Sequence, residues 1–148
     1  MIRFRTAEER DVLTVVALLL DDVLGAARES SDAATYLAAF HRMRDEGANH
    51  LIVGELDGRI VATYQITFIS GLSLRATRRA QVESVRVVSE LRGQGIGAAL
   101  MRDAETRARE AGCGLMQLTT NRSRPDAHRF YESLGFTPSH IGYKRVLN

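Results

Sequence analysis

The chain has 148 residues, of which 45% are apolar and 26% charged, with a formal net charge of +2 at pH 7. That length suits one domain with a full core, expected to extend over residues 1–148. The composition excludes a low-complexity or disordered chain, and a charge so small and unclustered argues against a nucleic-acid partner.

Positive charge is carried almost entirely by arginine, Lys144 being the sole lysine. Arginine suits bidentate recognition of phosphate and carboxylate, although a GC-rich genome would leave the same imprint. Cys113 is the only cysteine, which rules out an internal disulfide and points to a reducing compartment. No signal-peptide pattern opens the chain, and the apolar run Val12 to Leu20 is too short for a bilayer span. A cytoplasmic protein without a membrane partner is expected, and a homodimer is allowed for.

Ile2 to Arg5 reads as a short strand. Thr6 and Glu9 have capping-box spacing, and Leu13, Val16, Ala17 and Leu20 recur at helical spacing to about Leu24. After a break from Gly25 to Ser31, Ser31 or Asp32 is positioned to cap a second helix whose stripe is Tyr36, Leu37, Phe40 and Met43, ending at Gly47. His50 to Leu56 and Arg59 to Ile69 read as strands joined by Asp57-Gly58, a short-hairpin signal. Leu72 to Arg79 reads as a loop and the valine-rich Gln81 to Val88 as a strand. A glycine cluster then opens a helix carrying Ile96, Leu100, Ala104 and Ala108, ended by Gly112. Leu115 to Thr120 is strand-like, and Pro125 starts a helix that runs through Phe130 and Leu134 to Gly135. Phe136 to Ile141 and Tyr143 to Leu147 read as two terminal strands. The order βααβββαβαββ predicts a mixed α/β sheet with helices on both faces.

The segment Arg92-Gly93-Gln94-Gly95-Ile96-Gly97 lies between a strand and a helix. A helix start presents unpaired N–H groups and a partial positive charge, and glycines let a bulky anion approach the backbone. A plain connecting turn is the alternative. A P-loop is excluded because no lysine precedes the helix. Gly93-x-Gly95-x-x-Ala98 fits the loose dinucleotide fingerprint, but it lies two-thirds along the chain and has no acidic residue on the next strand.

What remains is Arg-x-x-Gly-x-Gly after a valine-rich strand. Val87 to Gly97 resembles the acetyl-CoA-binding motif of the GNAT N-acetyltransferases. Asp126-Ala127-His128-Arg129-Phe130-Tyr131-Glu132-Ser133-Leu134-Gly135-Phe136 is similar to that family's second motif, a helix ending in Tyr-x-x-x-Gly-Phe. Ser89 and Asp126 depart from it, where proline and asparagine are common. The resemblance covers essentially the whole chain. It implies a single mixed, mostly antiparallel, twisted sheet of about seven strands flanked by helices on both faces, with acetyl-CoA as co-substrate and no metal. Arg92 to Gly97 would hold the pyrophosphate, the backbone of Val85 and Val87 would line the cofactor, and Asn121 and Asp126 would contact it.

In such a transfer an amine attacks the thioester directly. An alkylamine, with a solution pKa near ~10.4, arrives protonated and needs a base. Glu83, among valines and expected to share a face with Val85 and Val87, is the candidate; an ion pair with Arg79, Arg86 or the nearby loop is the other reading. By resemblance, Tyr131 is the acid for the leaving thiolate, against the alternative of a core tyrosine beside Phe130. Also by resemblance, a bulge would turn a backbone N–H of the Val85 to Val87 segment toward the oxyanion. His128 and Asp126 share no helix face and are not read as a metal pair. Asn121 reads equally as a turn residue.

Arg75, Arg78 and Arg79 precede Glu83 and are either a solvated loop or a site for an acceptor that carries an anion. The segment from Thr120 to Tyr131 resembles aminoalkylphosphonate N-acetyltransferases, which points the same way. A small-molecule amine is the expected acceptor. A protein or peptide acceptor, met by an acidic lining of Asp21, Asp22 and Glu29, and a non-catalytic acyl-CoA-binding module are the alternatives.

Overall fold

The computed structural model describes residues 1–21 and 32–148. The expected helix end near Leu24, the break at Gly25 to Ser31, and Asp22 and Glu29 lie outside the described residues. The chain forms two compact units, Met1–Gln117 and Leu118–Asn148.

The first unit is built on a sheet ordered β1 (Arg3–Thr6), β2 (Asn49–Leu56), β3 (Arg59–Ile69), β4 (Arg79–Val87) and β5 (Leu115–Leu118). The pairings β1–β2, β2–β3 and β3–β4 are antiparallel. Asp57 and Gly58, with φ of 52° and 77°, make the two-residue hairpin turn in which both central residues are left-handed, matching the strand twist. Helix α1 (Val12–Leu20) and helix α2 (Ala33–Glu46) cover one sheet face. Val12, Val15, Val16 and Phe40 cluster there with Val53. Helix α3 (Ile96–Glu110) covers the other face with Leu100, Met101, Ala104 and Ala108 buried. Its Asp103 accepts a 2.6 Å bond from the Tyr64 hydroxyl. Tyr64, Ile52, Ile66 and Leu100 are fully buried, each side chain worth about 2 kcal/mol by area. No helix among the described residues is long and apolar enough to cross a membrane.

Helix caps follow the side chains that can reach a free N–H. Asp32 caps α2, accepting from the Ala34 and Thr35 amides at 3.1 and 3.5 Å, so of the two candidates it is the aspartate that acts. The box expected at Thr6 and Glu9 forms at Glu8 and Asp11 instead. Thr6 is committed to β1, and the buried Asp11 accepts from the Glu8 amide at 2.7 Å while Arg5 grips both its oxygens. That guanidinium holds the Asp11 carboxyl below the usual carboxylate range and also binds Glu55 at 2.6 Å. The buried stripe of α1 is Val12, Val15, Val16 and Leu18, with Leu13 exposed. The expected stripe through Leu13 is therefore rotated, because the helix starts at Val12 under the Asp11 anchor.

Among the described residues the sheet has five strands, where about seven were expected. The expected terminal strands, Phe136 to Ile141 and Tyr143 to Leu147, are irregular. Ile141, Tyr143, Val146 and Leu147 are exposed, and a segment with no ladder partner among the described residues has nothing to fix it as a strand. The expected loop from Leu72 holds a left-handed turn in which Leu74, Arg75 and Ala76 take φ of 53°, 58° and 60°. Such backbone costs roughly 1–2 kcal/mol per residue outside glycine.

The second unit carries helix α4 (Pro125–Ser133), with proline in its first turn. Gly135, at φ 92°, takes the left-handed position that ends it, and the Phe136 amide bonds back to the Tyr131 carbonyl at 3.1 Å.

Candidate active site

β4 carries the first part of the site. Thr63 pairs with Arg86 and Gln65 with Glu83, so two steps on β3 face three on β4. The extra residue makes a bulge, and Ser84 stands at φ 54° within it. A bulge leaves backbone groups out of the ladder and re-aims them. It falls at Ser84 and Val85, while Arg86 and Val87 keep register partners in Thr63 and Ala62, so it meets the expected Val85 to Val87 segment only at Val85. It also corrects an expectation. Strand alternation put Glu83 on one face with Val85 and Val87, but the extra residue shifts the phase. Glu83 pairs with Gln65 and Arg86 with Thr63, so Glu83 shares its face with Arg86, while Val87, paired with Ala62, lies on the other.

Glu83 is exposed, not buried among the valines as its neighbours suggested. Among the described residues it has no ion pair or hydrogen bond through its carboxylate, so the structural ion-pair reading with Arg79 or Arg86 has no contact behind it. Its face is polar nearby. Gln65 donates to Asn49 at 2.8 Å, Thr67 to the same oxygen at 3.3 Å, and Gln117 to Gln81 at 2.7 Å.

Beyond β4 the chain turns through Ser89–Leu91 into the glycine segment. Gly93 and Gly95 take φ of 79° and 83°, and a Cβ at either would meet no atom within 4 Å. Backbone conformation, not crowding, therefore demands glycine here. Gly95 is the N-cap of α3, which has no side-chain cap bond and no acidic residue in its first turn. Among the described residues no side chain caps this helix start, and the space beside Gly93 and Gly95 is open, an arrangement that fits an anion. Gln94 donates to the Glu90 carbonyl at 3.3 Å, and Arg92 donates to the Val87 carbonyl at 3.2 Å and stands 4.0 Å from Asp21. These bonds fix the loop on its own strand end.

Such a loop directly after a bulged strand is the arrangement the resemblance implied, and residues 15–136 match the acetyltransferase (GNAT) family. The chain belongs to that family. A solved structure from Bacillus halodurans C-125, described as a transcriptional regulator, is 43% identical and superposes with a TM-score of 0.95 over 99% of this GNAT chain and 100% of that one. Aminoalkylphosphonate N-acetyltransferase of Salmonella typhimurium is 42% identical over 67 residues, 45% of this chain and 44% of that protein. Streptothricin acetyltransferase of Streptomyces lavendulae is 33% identical over 113 residues, 76% of this chain and 49% of that protein. The GNAT chain thus spans about half the length of the curated relatives it matches.

In the second unit, the Tyr131 ring meets Phe130 and Phe136 edge-on, at centroid distances of 5.1 and 5.9 Å. Asp126 pairs with Arg129 one turn on. The Asn121 carboxamide oxygen accepts from the Ser123 amide and hydroxyl at 2.9 and 2.7 Å, so Asn121 builds a local turn. Its carbonyl oxygen is 2.9 Å from His128 Nε2. No cluster of three metal-ligating side chains occurs among the described residues. A groove of about 630 Å³ is lined by Arg5, Asp11, Leu18, Asp21, Arg59 and Val88 among others, and neither Glu83 nor Gly93, Gly95 or Gly97 lines it. Arg5, Asp11 and Glu55 in its wall neutralise one another. Sequence reasoning missed the polar row around Gln65. Only the β3–β4 register reveals it.

Proposed function

We propose that this GNAT chain, with residues 1–148 acting as one transferase domain, moves an acetyl group from acetyl-CoA to the primary amine of a small molecule. The observation that carries this reading is the continuity of β4. One strand bears an exposed carboxylate, then a bulge that frees backbone groups, then a glycine-lined helix start that fits a pyrophosphate. The relatives named for aminoalkylphosphonate and streptothricin support a small-molecule acceptor.

Glu83 takes the proton of the incoming ammonium, directly or through water. The free amine attacks the thioester carbonyl, and a backbone N–H of the Val85 to Val87 segment stabilises the oxyanion. As the tetrahedral adduct collapses, Tyr131 donates its proton to the departing thiolate, and the proton lost from the new amide nitrogen restores the phenol, directly or through water. Asn121 and Asp126 complete the cofactor contacts. Binding of acetyl-CoA without transfer is the rival reading. A regulator, the description carried by the Bacillus halodurans protein, would need no more than that.

The anion site is tested by ligand-induced stabilisation. Acetyl-CoA at 100 times its Kd should stabilise the fold by about 2.7 kcal/mol, read as a rise in Tm. Gly95→Asp should abolish most of that rise, because it sets a carboxylate beside the helix start. Gly95→Asn tolerates the same left-handed backbone without the charge and should keep more of it. An equal rise in both variants and the wild type would remove the loop from the site.

A further inference from the structure

The sequence left three arginines before Glu83 as equivalent candidates for contacting the acceptor, and the structure separates them. Arg78 donates to the Ala111 carbonyl at 2.6 Å and stacks over Phe68 at 5.5 Å. It is a tether between the sheet and the end of α3. Arg75 is exposed in the left-handed turn. Arg79 differs from both. It pairs with Ile69, as Gln81 pairs with Thr67 and Glu83 with Gln65, so Arg79, Gln81 and Glu83 follow one another along one face of β4. Its side chain is half-buried. Among the described residues its guanidinium has no hydrogen bond or ion pair. Gly71 makes room for it, since a Cβ there would stand 3.2 Å from Arg79 Nη1.

A half-buried guanidinium with no partner is an unfilled bidentate donor for carboxylate or phosphonate oxygens. Arg86, the other arginine on this face, is buried beyond the bulge and donates to the Val85 carbonyl at 2.9 Å. Between Arg79 and Glu83 lie Gln81 and its cross-strand partner Thr67, with Gln65 standing opposite Glu83; the Gln65 and Gln81 carboxamides are held by Asn49 and Gln117. The strip therefore has an acceptor for an ammonium at one end, a donor for an anion at the other, and neutral hydrogen-bonding groups between them.

We infer that Arg79 binds the anionic end of the acceptor, and that the substrate is an ω-amino acid or ω-aminoalkylphosphonate whose amine lies at Glu83. This rests on the transferase reading above and narrows its acceptor. Four strand steps separate the two residues, roughly 13 Å at about 3.3 Å each. Arginine's own length shortens that span, so acceptors with several methylenes between amine and anion are favoured over the shortest.

The test compares kcat/KM for length-matched acceptors: an alkylamine, an amino alcohol, an ω-amino carboxylate and an ω-aminoalkylphosphonate. The wild type should prefer the anionic acceptors about 10- to 100-fold, the scale of one to two charge-assisted bonds. Arg79→Gln should bring them down to the alkylamine level, mainly through KM, with the alkylamine and acetyl-CoA constants unchanged. Gly71→Ala, whose Cβ would press Arg79 Nη1 by only a few tenths of an ångström and leave its charge, should keep the preference. Turnover with no preference for anionic acceptors, or a preference that survives in Arg79→Gln, overturns the inference and leaves the transferase reading standing. Arg79→Gln lowering all four acceptors equally also overturns it, by marking a structural residue. No turnover of any amine by the wild type overturns both.

Discussion

Tyr131→Phe is expected to lower turnover on the order of 10²- to 10⁴-fold, the range for a positioned general acid, while the fold is retained. The substitution removes one oxygen. The ring keeps its edge contacts with Phe130 and Phe136, and the helix end is held by backbone bonds from Leu134 and Phe136 to the Tyr131 carbonyl, both 3.1 Å. These ring and backbone contacts survive the substitution, and Tm is expected to move by no more than a few degrees. Acetyl-CoA affinity should stay within a few-fold, because the pyrophosphate contacts are assigned to Arg92 to Gly97. A phenol near ~10 protonates a thiolate whose thiol lies near ~8.5 only where the two are brought together. The defect should therefore shrink with an acyl donor whose thiol is more acidic. Joint loss of stability and activity would identify the hydroxyl as a structural hydrogen-bonding group. Unchanged turnover would assign the proton to solvent.

Glu83→Gln is expected to lower kcat about 100-fold or more at pH 7, again with acetyl-CoA binding preserved. The carboxylate is exposed and makes no ion pair among the described residues, so glutamine should cost the fold little. The loss should be specific to proton removal. An alkylamine with a pKa near ~10.4 is almost wholly protonated at pH 7, and its free fraction rises about tenfold per pH unit until that value is approached. Raising the pH should therefore recover part of the mutant's rate with the slope of amine deprotonation. A mutant with wild-type kcat at pH 7, or one that higher pH does not rescue, would take Glu83 out of the chemistry.

Local signals were legible in the sequence wherever one element carried its own chemistry. Asp57-Gly58 fixed the hairpin, Gly95 marked the start of α3, and Pro125 and Gly135 bracketed α4. The resemblance in Val87 to Gly97 led to the family that residues 15–136 match. Features that depend on pairing were not legible. Phe136 to Leu147 reads as two strands but has no partner strand among the described residues, and Leu13 faces solvent because Asp11 sets where α1 begins. The face of Glu83 was misjudged for one reason: alternation holds only while each residue advances the ladder, and the bulge at Ser84 interrupts it. The same register separates Arg79 from Arg78, two neighbours that composition treats alike.

Acyl transfer itself is tested most directly by following acetyl-CoA and a small primary amine together, with mass spectrometry of the amine and a thiol assay for free CoA. One acetamide should form for each CoA released, at a rate that scales with enzyme and collapses in Glu83→Gln. Acetyl-CoA that binds and stabilises the protein, yet yields no acetylated product from small amines or lysine peptides, would contradict the transferase reading and leave an acyl-CoA-binding module.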